Sequence, residues 1–421
     1  MREGMREVML DRLLGALPEL GELAVLRQAL LSASVVDPSH VWSRTSAYMT
    51  YDKRALSIDA MQHSIAQAMQ AAHARVDMLY ASVQRVLYAL AANEKDRAAQ
   101  ELLVVGERLQ NEENPADAVL WLQAADRVAE QAGNRVVRAR ALWQRAIAML
   151  SLGSTDEAEA LYRASLAQAE VANDTEGRIN ATIGLGNVAG YQGHHEESLR
   201  RFYAALEICG DAFPRRRALL YTNMAHMLVE QGKLEAAGEQ LAKASESWSE
   251  LATGDHCRWY NARGMLALRR GEIEMAESLL QQALGIAGSE FERAMVLDNL
   301  ADLFIRQGNL AEAESLARSA EEAALRADSP RALAEIYTRL GKIFRLRADA
   351  NGVTFFEKAV EICRGRRYPH TEANAYLEYG IFRRLHGDIE EARSYFERAS
   401  QLFREIGAVA QERAAAEQLA L

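Results

Sequence analysis

The sequence predicts an all-α fold: an α-solenoid superhelix of about eight helix hairpins, with a helical N-terminal extension and a C-terminal capping helix. Three observations predict it. Small residues recur at a spacing near 39, a glycine follows most of them seven positions later, and a pair of small residues seven apart follows that glycine.

The first row is Gly106, Ala146, Gly186, Ala225, Gly264, Ala301, Gly341 and Gly380, separated by 40, 40, 39, 39, 37, 40 and 39 residues. Self-similarity at such a period marks a repeat architecture. The second row is Gly153, Gly193, Gly232, Gly271, Gly308 and Gly387. A glycine there suits a helix that ends in a left-handed residue, which glycine adopts at little cost. Next come Ala158, Ser198, Ala237, Ala276, Ala313 and Ala392, and then Ser165, Ala205, Ala244, Ala283, Ala320 and Ala399. These two sets share one face of a second helix, with a large residue such as Tyr162, Phe202, Leu241, Leu280 or Phe396 between them. Each unit therefore reads as two helices and a tight turn. One hairpin cannot bury its own apolar face, so the units must stack.

The first and seventh copies are irregular. Glu113 stands where the first turn glycine is expected; the seventh has Ala348 there, with Gly352 one residue out of register.

The pattern resembles the tetratricopeptide repeat family over residues 98–406. Tyr379-Gly380, then Gly387-Asp388-Ile389-Glu390-Glu391-Ala392, then Tyr395-Phe396-Glu397-Arg398-Ala399 is close to the family pattern, as is Leu185-Gly186 with Gly193, Phe202 and Ala205. Two departures stand out. The period exceeds the family's usual length, and the closing proline is mostly absent, although Pro214, Pro330 and Pro369 lie between units. Longer second helices or longer loops would absorb the difference. Such lengthened repeats are similar to those of bacterial sensor regions and peptide-sensing regulators.

Before the array, residues 1–97 form a helical cap or extension. Asp37-Pro38 reads as a helix start, and a long helix over 57–92 carries Ile65, Met69, Ala72, Val76, Leu79, Val83, Val86 and Leu90 as a heptad seam. Packing of this seam on the first repeat and on residues 5–33 is the favoured reading, which makes the chain a monomer; a homodimer through helix 57–92 is the alternative. After the array, residues 407–421 read as the capping helix. Translation starts at Met1 or at Met5, which repeats the Met-Arg-Glu string.

Composition narrows the function. Of 421 residues, 49% are hydrophobic and the formal charge is -10, which disfavours charge-driven binding of nucleic acid. No apolar run reaches the roughly 20 residues of a membrane-spanning helix. Cys209, Cys257 and Cys363 are widely spaced, so neither a disulfide framework nor a zinc site is indicated. A reducing compartment fits, the N-terminus makes a poor secretory signal, and the protein reads as cytoplasmic.

Catalytic patterns are weak. His194-His195 open a helix, where adjacent side chains diverge by about 100° and chelate one ion poorly. Asp255-His256-Cys257 are consecutive, and a nucleophile, base and orienting acid must converge in space. Gly184-Leu185-Gly186 lies inside a predicted helix and lacks the surroundings of a phosphate loop. No catalytic residue, metal or cofactor is assigned.

The family resemblance implies a groove lined by the first helices of the hairpins. Its candidates are Asn180, Asn187, Tyr191, Asn223, His226, Tyr260, Asn299, Asp302, Arg306, Lys342 and Arg345. Asparagine both donates and accepts, which suits a grip on extended peptide; asparagine beside the small residue is also a habit of these repeats. From Arg339 to Arg384 the chain carries a net +5, read either as ordinary solvated surface or as a pocket for an acidic or phosphorylated ligand. The function expected is a non-catalytic scaffold that binds a peptide or partner protein in its groove, in a regulatory or assembly role. The alternative is an enzyme or small-molecule sensor with its site in the channel or at the junction with residues 1–97, for which a pocket lined by Tyr260, His226 and Asp302 would speak.

Overall fold

The computed structural model describes residues 85, 86, 89, 92–111, 115–364, 366 and 368–420. The long helix expected at 57–92 with most of its heptad seam, the Asp37-Pro38 helix start, the segment 5–33, Glu113 and Arg367 lie outside the described residues.

Among the described residues there are seventeen α-helices, one short 3-10 turn and no strand. They are α1 (Lys95–Asn111), α2 (Pro115–Ala132), α3 (Arg135–Ser151), α4 (Thr155–Ala172), α5 (Thr175–Tyr191), α6 (His195–Cys209), α7 (Pro214–Glu230), α8 (Leu234–Ser245), α9 (Thr253–Arg270), α10 (Ile273–Ile286), α11 (Glu290–Arg306), α12 (Leu310–Arg326), α13 (Pro330–Leu346), α14 (Gly352–Cys363), α15 (Pro369–Leu385), α16 (Ile389–Glu405) and α17 (Val409–Ala420). The fold class is an all-α solenoid of helix hairpins. Every member of the first small-residue row lies on an odd-numbered helix from α1 to α15, the first helix of its hairpin. None of the described helices is long and apolar enough to cross a membrane.

Two compact units make up the chain, Met1–Arg145 and Ala146–Leu421, divided within α3. In the first, α1 and α2 pair closely: Leu102, Trp121, Leu122 and Ala125 are fully buried, and Leu122 lies on Gly106.

In the second unit the small residue of the first helix is a seat for the large residue of the second. A methyl group on Gly186 would stand 2.5 Å from the Phe202 ring, and methyl groups on Gly341 and Gly380 would stand 2.6 Å from Phe356 and Phe396. Each of these rings is at most 2% exposed, and burying one stabilises by about 1.5–3 kcal/mol. Gly184, two positions before Gly186, meets Tyr162 from the preceding hairpin. The Gly-Leu-Gly string therefore lies within α5 and admits an aromatic ring on each of two faces.

The turns follow the same logic. Gly153, Gly193, Gly232, Gly271, Gly308 and Gly387 all have φ between 73° and 90°. In the seventh hairpin Ala348 itself takes φ 56°, and Gly352 opens α14. Phe356 and Ala359 consequently sit one position earlier relative to Gly341 than Phe396 and Ala399 do relative to Gly380. Extra length resides mainly in the helices: the first helices α5, α7, α11, α13 and α15 have 17 residues each, while second helices range from 12 in α8 and α14 to 18 in α4. Pro214, Pro330 and Pro369 open α7, α13 and α15, where a missing N–H costs nothing. At the end of the unit α17 buries Ala415, and Arg384 of α15 donates to the Gln418 side chain at 2.5 Å.

Candidate functional site

Polar side chains on the first helices of the second unit meet in rungs between successive hairpins. The side chain one place after the small residue reaches the one two places before the next small residue. Asn223 donates to Asn187 at 3.4 Å, Arg339 meets Asp302 at 2.6 Å, and Lys342 meets Glu378 at 3.6 Å. The partners are 36, 37 and 36 residues apart, so each rung spans one repeat, at α5–α7, α11–α13 and α13–α15. Asn299 takes a neighbouring register and donates to Asn261 at 2.9 Å.

The strongest electrostatics lie where α11 faces α13. Arg339 grips Asp298 through two nitrogens, at 3.0 and 2.7 Å, and Asp302 through a third. A bidentate guanidinium–carboxylate pair carries orientation as well as charge. Burial works against ionisation of Asp302, but Arg339, Lys342, Arg306 and Arg269 outweigh it and hold the carboxyl well below the usual carboxylate range. Burial also works against the Arg339 charge, and Asp298 with Asp302 overcomes it. Nearby, Arg345 reaches Glu378 at 3.0 Å. Arg269, Arg306, Arg339, Lys342 and Arg345 thus surround three carboxylates, those of Asp298, Asp302 and Glu378. Glu230 also acts on Arg269, and Glu335, paired with Arg331, acts on Arg339, so the cations exceed the carboxylates by one.

The groove candidates fall into three groups. Asn187, Asn223, Asn299, Asp302, Arg306, Lys342 and Arg345 belong to the rungs and the charge cluster. Tyr191 and His226 lie instead where early hairpins of this unit meet late ones: Arg331 sits over the Tyr191 ring at 4.2 Å, and His226 is 3.7 Å from Glu230. Asn180 and Tyr260 belong to neither. Asn180 is 9% exposed within α5, and Tyr260 packs edge-on to Trp248 and Trp259 beside the α8–α9 connection. Tyr260, His226 and Asp302 therefore make separate contacts. Sequence reasoning did not single out Asn261, Glu378, Arg331, His195 or His370 for this face; the complementary pairs Asp302/Arg339 and Lys342/Glu378, one repeat apart, were the available signal.

The net +5 segment is distributed over several surfaces. Arg339, Lys342 and Arg345 join the cluster above, Arg347 meets Glu314, Lys358 lies over the Tyr337 ring, and Arg383 meets Asp388. The Asp255-His256-Cys257 string diverges at the start of α9. Asp255 accepts from Arg215 at 2.6 Å and from the Ala252 N–H, His256 contacts the Trp248 carbonyl, and Cys257 donates to the Ala283 carbonyl.

Where early and late hairpins of the second unit meet, a cavity of about 310 Å³ is lined by Gln192, His194, Arg366, Tyr368, Glu372 and Ile406 among others. Gly153 is touched there by Tyr368 and Arg366, and Gly193 by Ile406. The Tyr368 hydroxyl, the His195 Nδ1 and the His370 Nε2 are buried with no hydrogen-bond partner.

Hairpins with glycine turns, aromatic residues seated on small residues and polar rungs at one-repeat spacing define a helical-repeat solenoid. Residues 137–211 and 216–289, within the stretch from α3 to just past α10, match the tetratricopeptide repeat family. The sequence matches none of the curated proteins with which it was compared. Among solved structures, Rap protein complexed with competence and sporulation factor is similar over 79% of this chain and 99% of its own, with 13% identity and a TM-score of 0.55. The Rap conjugation gene regulator of plasmid pLS20, in complex with the Phr* peptide, is similar over 79% and 96%, with 11% identity and a TM-score of 0.56. A tetratricopeptide repeat protein from Parabacteroides merdae ATCC 43184 covers 67% of this chain and 98% of its own, with 16% identity and a TM-score of 0.42.

Proposed function

We propose that the chain is a non-catalytic scaffold that binds a peptide or partner protein along the first helices of its second unit, in a regulatory or assembly role. The observation that carries this reading is the row of half-buried polar side chains on those helices. The core between helices is built of alanine, larger aliphatic and aromatic residues and does not include Asn187, Asn223, Asn261, Lys342 or Arg345. Polar groups held at one-repeat intervals match the periodic amides of an extended segment. The excess of cations around Asp302 favours a segment with acidic side chains at that end. Two structures that share the fold, described above, are complexes, one of them with a peptide, which supports the reading.

Alanine at Asn223 or Asn299 would also remove a rung, so the sharper test leaves the rungs between asparagines intact. Arg306→Gln combined with Lys342→Gln removes the excess charge. Affinity capture from a lysate with the parent and the double variant, each checked for helicity by circular dichroism, is expected to lose at least one partner in the variant. Equal recovery of every partner by the two proteins would overturn the groove reading.

A further inference from the structure

Of the six histidines among the described residues, four gather where early and late hairpins of the second unit meet: His194, His195, His226 and His370. His195 opens α6 and is 6% exposed. Its ring stands edge-on to His370 of α15, with centroids 6.2 Å apart, and the His370 ring also stands edge-on to the Phe403 ring. Neither His195 Nδ1 nor His370 Nε2 has a hydrogen-bond partner, and His370 Nδ1 accepts from the Asn374 amide at 3.3 Å. The contact belongs to a seam. Tyr368 on Gly153, Ile406 on Gly193, Arg331 over Tyr191 and Gln411 on the Glu230 carbonyl all join the same two stretches of chain.

The charges facing these rings come from four helices. His195 faces Glu230 and His226 of α7, His370 of α15 and its neighbour His194. Glu230 faces His226, His370, Arg331 of α13 and His195. Glu335 is engaged by Arg331 at 2.9 Å and by Thr371 at 3.2 Å, while Glu372 and Glu405 line the adjoining cavity with His194 and Arg366. Glu230 is therefore shared by Arg331, Arg269 of α9 and three imidazoles. With the rings neutral, the seam is close to balanced. A proton added to the His195 ring places a buried cation in the seam, where Arg331 and Arg269 already face the shared carboxylate and repulsion is stronger than in water.

We propose that the His195–His370 contact is a proton-operated latch: the neutral His195 ring, packed on His370, holds the two ends of this unit's helical turn together, and protonation of His195 parts them. Protons open the seam only if they bind the open form better. Burial lowers the pKa of His195 in the closed seam, while an exposed histidine titrates near 6.5. The open form therefore gains protons first. Closure is fully favoured above about pH 6.5 and weakens as pH falls below it, tenfold in the equilibrium for each unit by which the closed-form pKa is depressed. Burial raises the Glu230 pKa, but Arg331 and the imidazoles of His226, His370 and His195, as they take up protons, lower it by more, so its carboxylate is ionised in that window.

The test is a pair of spin labels across the seam, at Glu196→Cys and Arg404→Cys, both exposed positions. The three native cysteines are each 1% exposed, so labelling is selective. The expected result is a single short distance at pH 7.5 and an added longer population at pH 5.5. In His195→Gln/His370→Gln the distribution should be the same at both values. In Glu230→Gln, which removes the offsetting anion, the longer population should appear at higher pH. An unchanged distance in the labelled parent, a shift that persists in the double histidine variant, or a shift that only follows loss of helicity would each overturn the latch. If the double variant does not fold, a Glu230→Gln response identical to the parent would do so.

Discussion

Gln411, on the last helix, donates its side-chain amide at 3.2 Å to the backbone carbonyl of Glu230, which lies 181 residues earlier at the end of α7. A solenoid whose hairpins touched only their sequence neighbours would have no such bond. Its presence means that the second unit gains cooperativity from contacts between non-adjacent repeats.

Gln411→Ala should therefore lower stability at a distance. The expected loss is about 1 kcal/mol, the net worth of one hydrogen bond. Hydrogen exchange should rise in residues 226–232 as well as beside position 411. Exchange confined to α17 would show that the bond carries no coupling.

Gly186→Val should destabilise by about 1–3 kcal/mol, because a side chain there meets the Phe202 ring and the close-packed core must shift. Phe202→Ala alone should cost about 3–5 kcal/mol. Combining the two should cost less than the sum, since the valine would enter the space the ring leaves. Urea midpoints of the four proteins test this; strict additivity would contradict the seat-and-ring packing.

Arg339→Met should cost about 3–5 kcal/mol at pH 7, since it leaves Asp298 and Asp302 buried without their shared cation. The pH dependence has a definite sign. The Asp302 pKa is depressed in the folded parent, so its contribution is present above the ordinary value near 3.8 and is lost as pH falls below it. In the variant the carboxyl takes up its proton at higher pH. The stability gap between parent and variant should therefore narrow as pH falls below about 4.

Ala348→Gly should stabilise the seventh hairpin by about 1 kcal/mol, because alanine at φ 56° carries a steric cost that glycine avoids. Gly308→Ala, at φ 79°, should do the opposite. Thermal midpoints that move in the same direction for both changes would refute the turn assignment.

Cys209, Cys257 and Cys363 should resist alkylation in the native protein. Burial raises all three thiols, Cys257 to about 11 and Cys363 to about 12, and the thiolate is the reactive form. Mass spectrometry after iodoacetamide at pH 8 should show no adduct without denaturant and three adducts with it.

The sequence by itself determined the hairpins. Gly186 with Gly193, Phe202 and Ala205 states a first helix, a left-handed turn and a second helix, because each small residue answers a local demand: a seat, a positive φ or a close face. Such demands recur with the repeat and so are visible in one chain. Even the irregular copy was legible, since Ala348 occupied the turn position and Gly352 marked the one-residue offset. The rungs were only half visible. Asn187, Asn223 and Asn299 stood out by residue type, whereas Glu378 and Asn261 matter through partners one repeat away. The tertiary structure alone decided the seam. His195 and His370, or Gln411 and Glu230, share no period and no motif. Their meeting depends on the small rotation between neighbouring hairpins, summed over several repeats, and that sum is set by how each pair of faces packs.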